Sequence, residues 1–224
     1  MSFIILLKKT MGSVIRARLA WLMLLCAILA VLLVLVLATS ITWLTAHLVS
    51  LEKGWLDTLI NWVVGVVSGV GGWFMLPVFI VLISGVFQEI TIHRVEKVDY
   101  PDHVRTHEPQ LWPDFMHDIR FTLKALFLNI LIVPFYFFGI GFVLSVALNS
   151  YLLGREFFES AAGYHLGKPQ ARELGQLNKK KVYGSGLVLT LFTLIPLVNL
   201  FAPIFAIVWM VHVFHGAREL GDPK

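Results

Sequence analysis

Two arginines, Arg16 and Arg18, stand against the start of a long apolar run in the segment MGSVIRARLAW, a few residues after Gly12 and Ser13. Guanidinium forks match the oxygens of a small oxyanion, and backbone N–H groups at a helix start add further donors. The chemistry open to Gly12, Arg16 and Arg18 together is therefore anion binding. The competing role is that of a topology anchor whose side chains snorkel to lipid headgroups. Further along, Glu89 ends a second apolar run, and Arg155, Glu156 and Glu159 follow a third in NSYLLGREFFE. Arg155 and Glu159 are four apart, which suits a local helix pair; the alternative is a water-filled vestibule, since ionisable groups near membrane depth need partners or water. Asn199 lies among apolar neighbours in IPLVNLFAP and is expected to cap a half-helix, whose positive N-terminal end would then lie deep in the bilayer.

Other chemistries find little support. Of eight histidines, His103 and His107 are four apart and His212 and His215 three apart. No cysteine set or carboxylate cluster in the sequence completes a closed zinc site beside either pair, so no metal and no cofactor are expected. His212 and His215 have a plainer role at the end of a helix, where a cation complements the dipole. No nucleophile motif, P-loop or dinucleotide fingerprint occurs, and an enzyme is not expected. Cys26 is the single cysteine, which rules out an internal disulfide.

The elements that must position these residues are written in the charge distribution. Four stretches, 19–51, 58–88, 125–154 and 182–217, carry no Asp, Glu, Lys or Arg. Each exceeds the roughly 20 residues of a bilayer-spanning helix. The chain is 58% hydrophobic and 14% charged, with mean hydropathy +0.80, against roughly 25% charged residues in a soluble domain. These features predict a single all-α integral membrane domain over 1–224. The net charge of +4 is assigned to basic loops at the cytoplasmic face and not to a nucleic-acid partner. The opening MSFIILLKKT has its apolar run before its lysines, so no cleavable signal is expected.

If all four stretches cross the bilayer, the basic residues divide eleven against seven between the two faces. If the third and fourth enter and leave by the same face, the division is seventeen against one. The bias of basic residues toward one face favours the second arrangement. Pro134 with Gly139 and Gly141 splits the third stretch into pieces of roughly half a bilayer, and Pro196, Asn199 and Pro203 interrupt the fourth. Two ordinary kinked spans remain the alternative. The expected order is a basic N-terminal segment 1–18, spans 19–51 and 58–88, a cytoplasmic connection 89–124, a first re-entrant hairpin 125–154, a basic linking helix 155–181, a second hairpin 182–217 and a tail 218–224. Gly65, Gly69, Gly71, Gly72 and Gly85 are expected to permit close helix approach, and Pro77 to kink the second span. A helix is expected to follow that span through Val98 and stop at DYPD (99–102), and another to start near Pro113–Asp114.

With these segments in view, the chain resembles the CysZ-type sulfate permeases and the wider etoposide-induced protein 2.4 family, in the form of a bacterial subgroup. The resemblance rests on GSVIRAR, the span ending in SGVFQE, NSYLLGREFFE, and KKKVYGSG leading into LFTLIPLVNLFAPIFA, in family order over nearly the whole chain. It implies two long transmembrane helices plus two proline-broken, partly penetrating helical hairpins, assembled as a homo-oligomer in the bacterial inner membrane. It implies sulfate or a related oxyanion as the partner, besides the lipid bilayer. The family's Gly-x-Arg-Arg-like sulfate motif maps to Gly12, Arg16 and Arg18, with Gly12 four before Arg16 and Ala17 between the arginines. The acid ending the family's second span falls at Glu89, and the acid after its first hairpin at Glu159. The sequence expectation is thus a sulfate or oxyanion permease or channel, with a non-transporting membrane-shaping or scaffold protein of the same family as the alternative.

Overall fold

The computed structural model describes residues 3–48, 54–103 and 111–221, and among them there is no strand. The helices are α1 (Phe3–Arg16), α2 (Leu19–Leu48), α3 (Gly54–Val86), α4 (Gln88–Asp99), α5 (Leu111–Ile132), α6 (Gly141–Leu166), α7 (Lys168–Leu177), α8 (Lys179–Thr193), α9 (Pro196–Asn199) and α10 (Ala202–Gly221). They fall into two compact units, one of residues 21–87 and one of 1–20 with 88–224. The segments 49–53 and 104–110, and with the latter His107, lie outside the described residues.

The smaller unit holds the two long apolar helices, α2 and α3. Both are rich in Leu and Val, and α3 runs through Pro77 without interruption. Between them lies a cavity of about 580 Å³ lined by apolar side chains including Val34, Leu37, Val67, Met75 and Phe79. Of the five glycines expected to bring helices together, only Gly72 does so, because a β-carbon there would sit 2.6 Å from Val34. At Gly65, Gly69, Gly71 and Gly85 the space is open.

In the larger unit the core is α10. Val208, Trp209, Met210, Val211 and Phe214 are all buried, so this helix is covered on every side. The tightest approach joins α6 and α8. A β-carbon on Gly186 would lie 1.9 Å from the Ser150 carbonyl oxygen, and one on Gly154 would lie 2.6 Å from that of Val182. Two facing glycines let the backbones touch, the usual means of packing helices where lipid competes as an apolar solvent.

The apolar stretches break where proline and glycine require it. The third gives α5, a 3-10 turn over Val133–Tyr136, Gly139 at φ +74, and α6 from Gly141. The fourth gives α8, the four-residue α9 starting at Pro196, and α10 with Pro203 in its first turn. The arm before the first break, α5, starts at Leu111, close to the Pro113–Asp114 start that the sequence indicated, and runs into the third stretch. Apolar character reaches back to Ile119, so Ile119–Tyr136 spans 18 residues, and Leu19–Thr45 spans 27. Both are long and apolar enough to cross a membrane by length and composition. The linking segment differs from the single helix expected over 155–181. Gly167, at φ +77, ends α6, Pro169 sits in the first turn of α7, and α7 stops at Asn178. A left-handed glycine and a proline two residues later terminate one helix and start another. Past α3, α4 begins at Gln88 and ends at DYPD, as the sequence indicated.

Gly186→Ala should force α6 and α8 apart and cost about 1–3 kcal/mol, the range for overpacking. The check is the unfolding midpoint of the detergent-purified protein, with Gly69→Ala as the open-space control. Equal midpoints would show that the helix contact is not as tight as described.

Candidate functional site

The polar contacts made by Arg16, Asp99 and Glu96 in the larger unit join α1, α4, α6 and α10. Because α1 ends at Arg16 and Arg18 takes a left-handed φ of 52, the chain turns between the first two helices. That turn leaves Gly12, Ser13 and Arg16 on α1, beside α4. The Arg16 guanidinium folds back over Gly12, where a β-carbon would lie 3.1 Å from Nη1. From there its Nη2 pairs with Oδ1 of Asp99 at 2.5 Å, the Arg16 side chain being 52% exposed and that of Asp99 8%. Arg18 is exposed and, among the described residues, has no ion-pair partner.

Behind this pair runs a chain of hydrogen bonds. Lys9 Nζ donates to the Tyr100 hydroxyl at 2.9 Å, and that hydroxyl lies 2.9 Å from His212 Nδ1. The other ring nitrogen, His212 Nε2, lies 2.9 Å from Ser13 Oγ, which donates to Asp99 Oδ2 at 2.5 Å. Every atom is satisfied if each group donates to the next, from Lys9 through Tyr100, His212 and Ser13 to Asp99, with the His212 proton on Nε2. Asp99 thus collects the ends of two arms, one from Arg16 and one from Lys9.

One helical turn before Asp99 is Glu96, which is completely buried. Its Oε1 accepts from His165 Nε2 at 2.6 Å and from His215 Nε2 at 3.0 Å. Its Oε2 has no hydrogen-bond partner among the described residues. Burial alone would raise the Glu96 pKa, but the two imidazole hydrogen bonds outweigh it and hold it below its ordinary value. The His215 ring stacks on Tyr100 with centroids 3.8 Å apart, and the His165 ring stacks on Phe214 at 5.4 Å. These stacks fix both imidazoles and link the Glu96 cluster to the hydrogen-bond chain through Tyr100.

A second polar group lies on α6. Arg155 Nε and Glu159 Oε1 are 2.6 Å apart, both side chains are buried, and the guanidinium lies 4.8 Å over the Phe121 ring of α5. The cleft beside them, lined by Tyr151, Phe158 and Arg172 among others, is about 30 Å³ and has room for about one water.

The structure therefore brings Gly12 together with Arg16, and Arg155 with Glu159. Glu89 is exposed in the first turn of α4, and Glu156 is half-buried. Asn199 closes α9, its N–H donating to the Ile195 carbonyl at 2.8 Å, while α10 starts three residues later at Ala202; the half-helix cap expected of Asn199 is not its place in the fold. Sequence reasoning missed Asp99, Ser13, Glu96 and His165. Of the histidine pairings weighed, His212 and His215 fall on one helix but face different partners, and His103 sits edge-on to His215. The available signal was charge placement: Glu96 and Asp99 follow an apolar span at helical spacing, three apart on one face.

All-helical over the described residues, with two helices long and apolar enough to cross a bilayer, the chain has the make-up of a membrane protein. A family model described as Sulfate transporter CysZ/Etoposide-induced protein 2.4 matches residues 6–203, and the chain belongs to that family. No curated protein and no solved structure matched the chain.

The buried Arg155–Glu159 pair yields a stability test. Glu159→Ala strands a buried guanidinium and should cost about 3–5 kcal/mol, whereas Arg155→Met with Glu159→Leu should cost clearly less. Unfolding midpoints of the two variants in detergent decide it, and equal losses would show that the pair's charges are not uncompensated when separated.

Proposed function

We propose that this chain is a multi-pass permease or channel for sulfate or a similar small oxyanion, working as a homo-oligomer in a bacterial inner membrane. The family supplies the transporter class. The observation that carries the anion reading is Arg16, an arginine held in place by Asp99 and Gly12 yet half exposed, with the exposed Arg18 two residues on. Asp99 uses one edge of the fork and orients the other toward solvent. An incoming dianion then meets a fixed donor instead of a flexible one, which lowers the ordering cost of binding. A dianion cannot enter hydrocarbon unless donors replace its hydration shell. Arg155 and Glu159 shape the wall of the route, with Glu156 and Glu89 at its aqueous ends and the chain break at Asn199 near its depth.

Re-entry of the two hairpins belongs to the same proposal. The first break presents Phe137 at 90% exposure and Phe138 at 78%, and the second presents Leu194 and Ile195. Apolar tips of this kind suit lipid and not water. In a Cys26→Ala background, single cysteines at Lys97, Lys168 and Lys180 should all react with a membrane-impermeant thiol reagent from one side. Labelling of 168 and 180 from the side opposite 97 would make the third segment a full crossing and remove the hairpin route.

The functional test is uptake of labelled sulfate into liposomes holding the purified chain. Arg16→Gln with Arg18→Gln should lower the rate by roughly 10-fold or more, since each hydrogen bond to a charged group contributes about 1.5–3 kcal/mol. Lys179→Gln, at the exposed start of α8, should leave it unchanged. Uptake unaffected by the double change removes the role of the arginines. A folded wild-type chain with no flux favours the membrane-shaping alternative.

A further inference from the structure

We propose that Glu96, His165 and His215 bind one divalent transition-metal ion of the zinc class. The three residues come from α4, α6 and α10, and one ligand atom from each lies within 4.8 Å of the others. Two imidazoles and a carboxylate are a donor set that selects zinc-like ions over calcium or magnesium, which take oxygen ligands.

The present hydrogen-bond arrangement does not satisfy the carboxylate. Both imidazoles approach the same oxygen, Oε1, and Oε2 is buried without a partner. A fully buried carboxylate needs a positive counterpart, and an unmet buried acceptor costs about 1–3 kcal/mol. A cation among the three side chains meets both needs. Zinc bonds to nitrogen and oxygen run about 2.0–2.2 Å, so tetrahedral donors stand roughly 3.3–3.6 Å apart. Starting from nitrogen–oxygen separations of 2.6 and 3.0 Å, the side chains open by less than about 1 Å. Each imidazole coordinates as the neutral tautomer, with its proton on Nδ1 and the Nε2 lone pair on the ion, and water or Oε2 completes the shell. Tyr100 against His215 and Phe214 against His165 hold the rings at the angle the ion needs, as outer partners do at metal sites.

The site is separate from the proposed anion route, and its test reads metal content instead of flux, so the two proposals fail independently. Full-length protein is purified in detergent without a histidine tag, stripped with chelator and titrated with Co²⁺. The expected result is one Co²⁺ per chain, with the intense visible absorption of a four-coordinate ion, displaced by Zn²⁺. Glu96→Gln, His165→Gln and His215→Gln should each weaken binding by at least the roughly 10–100-fold that loss of an outer partner costs. His93→Ala, on the exposed face of α4, should not change it. Should a ligand variant fail to fold, zinc-edge X-ray absorption of the wild-type protein decides: two imidazole nitrogens with oxygen in the first shell support the site. An oxygen-only shell, binding below one ion per chain, or binding that survives Glu96→Gln and His165→Gln overturns it.

Discussion

Glu96 is a carboxylate with no exposure in a chain that is more than half apolar, and three helices of the larger unit converge on it. Removing a carboxylate from water costs several kcal/mol even after relaxation. Imidazoles from α6 and α10 meet that cost on one oxygen, and they can do so only if α4, α6 and α10 converge. The α10 helix, covered on all sides, supplies one imidazole to Glu96 and, three residues earlier, another to the Ser13–Asp99 chain. Glu96 and Asp99 stand one turn apart on α4, and Tyr100 joins their surroundings, its ring stacked on His215 and its hydroxyl beside His212.

Two of the polar groups, at Arg155 and at Arg16, use opposite logic. Arg155 and Glu159 neutralise each other within one helix turn and under an aromatic ring, which is a local solution available from sequence spacing alone. The Arg16 group is assembled across α1, α4 and α10 and stays half open to solvent. A buried, mutually satisfied pair has little left to offer a passing ion. An oriented but exposed guanidinium has a great deal, which is why the functional reading leans on Arg16.

Much of the fold was legible in the sequence for a simple reason. Proline and glycine act on their own backbone, so the interruptions at 133–140 and 194–201 and the stop at DYPD appear where those residues stand. Charge-free length likewise marked α2 and α3. Legibility ended where position depends on partners far away in the chain. The Glu96 cluster joins residues 96, 165 and 215, whose separations carry no periodic signal, whereas the conspicuous histidine pairs pointed to neighbours along one helix. The linking helix over 155–181 was misjudged although Gly167, with Pro169 two residues on, carries the stop signal in the sequence itself. The α3 glycines invited a packing role that, apart from Gly72, they do not have within one chain.

The joint at Ala17–Arg18 has one more consequence. Residues 1–20 belong to the larger unit and the apolar helix from Trp21 to the smaller, so the backbone turn at Arg18 falls between the helix that carries Arg16 and a helix long enough to cross a bilayer. Bilayers differ in thickness by several ångströms, and long helices answer by tilting. The contacts that fix Arg16, to Asp99 and over Gly12, lie wholly within the larger unit, and none of them involves the helix whose length the bilayer sets.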